Sequence, residues 1–135
     1  MALTKALRNS AIVIEKYVDL PASADTTVGV SVPAGTLIIA AGFEPSEAVP
    51  DVTTYTMDIT DGTTVFANDL NFDNTAAGTI KVGTTAGLVS AADTIDVVTT
   101  ITGSPGIISG RVFVVAVDVN ESRLQAAEVD RDTLA

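Results

Sequence analysis

Arg111-Val112-Phe113-Val114-Val115-Ala116-Val117-Asp118-Val119 is the most apolar run in the chain, and its reading decides the fold. β-branched and aromatic residues dominate it, as suits a pleated strand. A strand with one dry face alternates apolar with polar residues. One that is apolar on both faces belongs in the middle of a sheet whose outer face is also covered. A loop, an arm or another subunit must then cover that outer face, and Val112 and Val114 are the expected contacts with a sister copy.

Upstream of this run the side chains also keep a period of two. Ile12, Ile14, Val18 and Leu20 share a face with Lys16 intruding, and Val28, Val30 and Val32 alternate with Gly29 and Ser31. In Val32-Pro33-Ala34-Gly35-Thr36, Pro33 presets φ and Gly35 tolerates a positive φ, which predicts a tight hairpin into Leu37, Ile39 and Ala41. Tyr55, Met57 and Ile59 oppose Thr54, Thr56 and Asp58, and Asp61-Gly62 supplies the next turn. Val65-Phe66, Ile80 with Val82, and Ile95 to Ile101 read as further strands, and residues 103–110 as a Pro- and Gly-broken loop. Seven to nine short strands without a convincing internal helix predict an all-β fold, an antiparallel β-sandwich of jelly-roll type with extended N- and C-terminal arms. The expected divisions are an arm over 1–11, a sandwich over 12–119 and a tail over 120–135. Leu124, Ala127 and Glu128 stand at helical spacing, but so short a helix is marginal in water without a docking surface.

The composition sets limits on function. The 135 residues include no His, Cys or Trp, 47% are hydrophobic, and the formal net charge is -10. Without imidazole or thiolate, Ser-His-Asp and Cys-His catalysis and zinc ligation are excluded, and the expectation is a protein that is not an enzyme and has no cofactor. The acidic balance makes nucleic acid and membrane surfaces poor partners. Charge is uneven: residues 1–10 carry +2 from Lys5 and Arg8, residues 11–120 carry -10 and residues 121–135 carry -2. A basic arm ahead of an acidic body suits contact with an oppositely charged neighbour. The run Ala11 to Ile14 is too short for a signal-peptide core or a membrane span, so synthesis in a cytoplasm is expected.

Carboxylates offer the remaining chemistry. Asp58 with Asp61, and Asp93 with Asp96, are close in sequence but sit at strand ends and turns where water keeps them ordinary, and few aromatics are present to form a sugar platform. Asp69, Asn71 and Asp73 repeat at the spacing of the first three oxygen ligands of an EF-hand loop. Asn74 then stands where that loop needs Gly, and Ile80 where it needs Glu. This makes the three a weak hard-cation candidate, against the reading of Asx side chains that cap their own turns.

Residues 28–119 resemble a recurring type of small virion protein from tailed bacteriophages. The resemblance rests on the order Val32-Pro33-Ala34-Gly35-Thr36, Phe43-Glu44 with Ala48-Val49, Tyr55-Thr56-Met57-Asp58-Ile59 leading to Asp61-Gly62-Thr63, then Phe66 to Leu70, Ala91 to Val97 and Gly110 to Val114. In the usual pattern the Asp-Gly-Thr turn is extended by Asp and Pro, whereas here Thr64 and Val65 follow at once. The resemblance implies a head decoration or cement protein on the virion surface, bridging major capsid protein subunits as a homo-oligomer, with a trimer favoured; a phage tail, neck or fibre component, or a glycan- or Ca-binding sandwich module, is the alternative. Leu3, Lys5, Arg8, Leu124 and Arg131 on the arms are the expected shell contacts.

Overall fold

The stretches Thr54–Thr60, Asp93–Thr102 and Ile108–Asp118 alternate more and less buried positions, which assigns their apolar stripes to one interior. The structure of the protein, a computed structural model, describes residues 11–119. Nine strands follow in order: β1 (Ile12–Leu20), β2 (Thr26–Val32), β3 (Thr36–Pro45), β4 (Thr54–Thr60), β5 (Val65–Asn71), β6 (Lys81–Gly83), β7 (Gly87–Val89), β8 (Asp93–Thr102) and β9 (Ile108–Asp118). They form two antiparallel sheets. The first runs β1-β9-β3-β6 with β7 also on β3, and the second runs β2-β8-β4-β5.

The pairing is that of a doubled ribbon. β1 pairs β9, β2 pairs β8, β3 pairs β6 and β7, and β4 pairs β5, so the chain forms one long hairpin closed at the Asp61-Gly62 turn. Wrapping that ribbon on itself adds β3 to β9 and β4 to β8. This is a jelly roll, with its sixth strand split into β6 and β7. Gly62 takes φ 91° at the closing turn. Asp61 Oδ1 accepts from the N–H groups of Thr63 and Thr64 at 2.9 and 2.7 Å, fixing the loop through its own side chain.

Three local expectations change. The Pro33–Gly35 turn is not a hairpin, because β2 lies in the second sheet and β3 in the first; the turn arches between layers. Gly35 has φ 85° and donates to Val89 O at 2.7 Å, while Thr36 Oγ1 donates to Pro33 O at 2.7 Å. A bulge between Ile38 and Ala40 shifts the inward residues of β3 to Ile38, Ala41 and Phe43 and leaves Ile39 exposed. A second bulge between Thr27 and Val30 turns Val28 outward. In β4 and β8 the alternation holds: Tyr55, Met57 and Ile59, and Ile95 and Val97, are buried. Each such side chain contributes about 1.5–3 kcal/mol.

One core group departs from this apolar pattern. Tyr55 is fully buried, and its hydroxyl has no hydrogen-bond partner among the described residues. Burial, and secondarily the Glu47 carboxylate, push its pKa up to about 12. Unfolded tyrosine loses its proton near its ordinary value of 10. Between these values the folded form holds more protons than the unfolded one, so stability falls as pH rises. Tyr55→Phe is therefore expected to be neutral or slightly stabilising at neutral pH, since an unpaired buried hydroxyl gains nothing from folding. The variant should also lose less stability than wild type across the alkaline window. Urea melts of both proteins check this; a loss above about 1 kcal/mol at neutral pH would mean that the hydroxyl has a partner.

Candidate interaction surface

The two outer faces of the sandwich differ in kind. On the second sheet, β4 and β8 present Thr54, Thr56, Asp58 and Thr60 beside Thr102, Thr100, Val98 and Asp96 in register. These hydroxyls and carboxylates make a face suited to water.

The outer face of the first sheet is built from β9. Its cross-strand partners run in rows: Leu88, Leu37 and Val117; Val13, Val115 and Ala40; Glu15, Phe113, Gly42 and Val82; and Tyr17, Arg111 and Glu44. Val13 is 60% exposed, Leu88 53% and Val82 45%. A Cβ on Gly42 would stand 2.6 Å from the Phe113 ring, so the missing side chain leaves room for that ring. Two rows are thus apolar, the third sets Phe113 and Val82 beside Glu15, and the fourth is charged. There Arg111 Nη1 meets Glu15 Oε2 at 3.1 Å and Nη2 meets Glu44 Oε1 at 2.7 Å. The hydrogen bond to Glu44, then the Glu15 charge, raise the Arg111 pKa. In the next row Ser109 Oγ donates to Asp19 Oδ1 at 2.6 Å.

This geometry corrects the expected oligomer contacts. Val112 and Val114 are 0% exposed between the sheets, and a side chain with no accessible surface touches no second copy. Their neighbours Phe113, Val115 and Val117 carry the outward face. The expected shell contacts Leu3, Lys5, Arg8, Leu124 and Arg131 lie outside the described residues, as do both expected arms apart from Ala11. The described ends leave the sandwich together, because Ile12 pairs with Ala116 at the same end of the first sheet where Thr36 pairs with Asp118.

Two of the three candidate cation residues spend a side-chain oxygen on the backbone. Asp73 Oδ1 accepts from Val52 N–H at 2.7 Å, and Asn71 Oδ1 accepts from Asp73 N–H at 2.9 Å in an Asx turn. Asp69 sits at φ 51°, with its N–H held by Asp58 Oδ1 at 2.7 Å. Asp93 Oδ1 accepts from Thr94 N–H at 2.8 Å, and Asp96 Oδ1 from Gly29 N–H at 3.4 Å. Among the described residues no three acidic groups gather as a metal site. A cleft of about 230 Å³ beside the Asp61 turn is lined by Thr63, Thr64, Leu88, Ser90 and Asp93. It is smaller than a usual ligand pocket, and its carboxylates are engaged as described.

A jelly-roll sandwich with one apolar and one hydroxyl-rich face is the class these observations define. Among solved structures, the chain is similar to one in the acidic stable capsid structure of Helicobacter pylori bacteriophage KHP30. The TM-score is 0.53 at 10% identity, and the match covers 78% of this chain and 91% of that one. At that identity the likeness is one of fold. A chain in the structure of infectious bursal disease virus Gx strain matches at TM-score 0.40 and 14% identity, over 81% of this chain and 33% of that one, too loosely to bear on the fold. No protein-family model matches, and no curated protein does.

Proposed function

We propose that this chain is a structural protein of a phage virion, of the head decoration or cement type, which binds major capsid protein subunits at the outer surface of the shell. The observation that carries this reading is the two-sided sandwich, with its apolar sheet face opposite a threonine- and aspartate-rich one. Such a plate buries one side in an assembly and shows water the other. The likeness of fold to a chain in a phage capsid structure supports it, as does the order of sequence features shared with small virion proteins. A protein that binds the assembled lattice better than free subunits stabilises the lattice by mass action. The acidic body keeps unbound copies soluble. Leu3, Lys5, Arg8, Leu124 and Arg131, outside the described residues, are the proposed shell contacts, and contacts from two separate segments would add avidity.

Purified particles provide the test. Mass spectrometry should find the protein in virions, and electron microscopy should locate it on the head in numbers comparable to the major subunit. Deleting residues 1–10 should reduce its occupancy on heads while leaving the melting temperature of the free protein unchanged. Absence from virions would end the proposal, a tail location would reassign it, and full occupancy after deletion would remove the N-terminal segment from the contact.

A further inference from the structure

We propose that Asp61 is this chain's site of spontaneous backbone isomerisation, and that the Thr60 hydroxyl holds the reaction back while the turn is folded. This is independent of the virion reading, since it concerns the chemistry of one peptide bond.

The sequence singles out that bond. Asp61-Gly62 is the one place in the chain where glycine follows Asp or Asn, and glycine, having no side chain, leaves its nitrogen open to the carboxyl carbon before it. The turn is also wet: Gly62 and Thr63 are exposed, and nothing lies within 4 Å of a Cβ built on Gly62. In the reaction the Gly62 nitrogen attacks Cγ of the protonated Asp61 carboxyl and loses its proton as the carboxyl C–OH bond breaks. One water leaves and a cyclic succinimide closes. Water then adds to one of the two ring carbonyls. Addition at Cγ restores Asp61, whereas addition at the main-chain carbonyl breaks its C–N bond and leaves Gly62 joined to Cγ, an isoaspartate of unchanged mass. The backbone of the turn that closes β4 on β5 is then one carbon longer.

The folded turn opposes the attack at both reacting groups. The Gly62 N–H donates to Thr60 Oγ1 at 2.9 Å, so the proton that must leave is held. Asp61 Oδ1 accepts from the N–H groups of Thr63 and Thr64 at 2.9 and 2.7 Å, which ties the carboxyl to the residues beyond Gly62. A reaction needs its atoms in aligned near contact, and here both partners are committed elsewhere. Thr60 links the two restraints. Its hydroxyl donates to Thr64 O at 2.7 Å, and the Asp61 N–H meets the same oxygen at 3.3 Å. Thr60 is thus a positioning residue, and isomerisation waits on opening of the turn, which costs less than global unfolding.

The experiment is incubation of the full chain at neutral pH for weeks, with isoaspartate at position 61 measured by peptide mapping and electron-transfer fragmentation. Wild type, Thr60→Val, Thr60→Ser and Ile108→Val are compared, each folded and in urea. Thr60 is half-buried, so its variants keep the fold, which circular dichroism and the melting temperature verify. Ile108 is buried at the opposite end of β9 from the turn, and its truncation controls for a general loss of stability. Folded wild type is expected to isomerise at least about tenfold more slowly than wild type in urea, since several hydrogen bonds, each a few-fold barrier, must break first. Folded Thr60→Val should run about fivefold faster than folded wild type, the factor of one lost hydrogen bond. Thr60→Ser and Ile108→Val should match wild type, and all four should agree in urea. Equal rates for folded and unfolded wild type, a folded Thr60→Val no faster than wild type, or an equal acceleration by Thr60→Ser or Ile108→Val would each overturn the proposal. So would isoaspartate forming in urea at another residue in preference to Asp61.

Discussion

Phe43→Ala is expected to lower stability by about 4 kcal/mol, the usual cost of deleting a buried phenylalanine. Phe43 is fully buried on β3, and its ring meets Phe72 edge to face at 5.6 Å and 87°. That contact contributes about 0.5–1.5 kcal/mol within the total. The ring also fills space that Gly110 leaves empty, since a Cβ there would stand 2.4 Å from it. The neighbours that gave way to the ring are therefore backbone, which collapses poorly into a cavity. A domain of this kind is stable by about 5–15 kcal/mol, so the variant loses a large fraction of its margin. Denaturant melts should show a lower midpoint with an unchanged slope. A loss under about 1 kcal/mol would mean that the two sheets do not close over Phe43.

The chain's own alternation made much of this core legible. Tyr55, Met57 and Ile59, and then Ile95 and Val97, stand in sequence as plain two-residue stripes and lie buried in the fold. β9 announced its central place by being apolar on both sides, and the Asp61-Gly62 turn announced itself by composition. The layer change at Pro33–Gly35 was not legible, because the same local φ preferences serve a hairpin and an arch; only long-range pairing of β2 with β8 and β3 with β9 separates them. The inward residues of β9 were also misassigned as an interface. Period two says which residues share a face, but not which face meets the other sheet, and a choice of the wrong parity exchanges Val112 and Val114 for Phe113 and Val115. The apolar outer surface itself draws on five strands, among them β6 and β7 of three residues each. Such segments carry almost no periodic pattern.

Bulges are the other feature that alternation hides, and Gly29 provides the second large effect. Val28, Val30 and Val32 form one stripe on paper, yet Val28 is 55% exposed and Val30 is buried, because the register slips between Thr27 and Val30. Gly29 lies in that slip, and a Cβ on it would stand 2.1 Å from the carbonyl oxygen of Ile95. That atom is backbone of β8, held between β2 and β4, and cannot swing aside as a flexible side chain would. Gly29→Ala is therefore expected to cost about 3 kcal/mol, at the upper end for overpacking. Gly62→Ala provides the comparison: its φ of 91° is unfavourable for alanine, but nothing lies within 4 Å of the added carbon. It should cost about 1–2 kcal/mol, the conformational term alone. Equal losses in the two variants would mean that β2 runs without the bulge, and then Val28 belongs inside with Val30. Val28→Asp separates the cases independently: outward at the bulge it stays within about 0.5 kcal/mol of wild type, as surface substitutions do. Inside the sandwich it would bury an unpaired carboxylate and prevent folding.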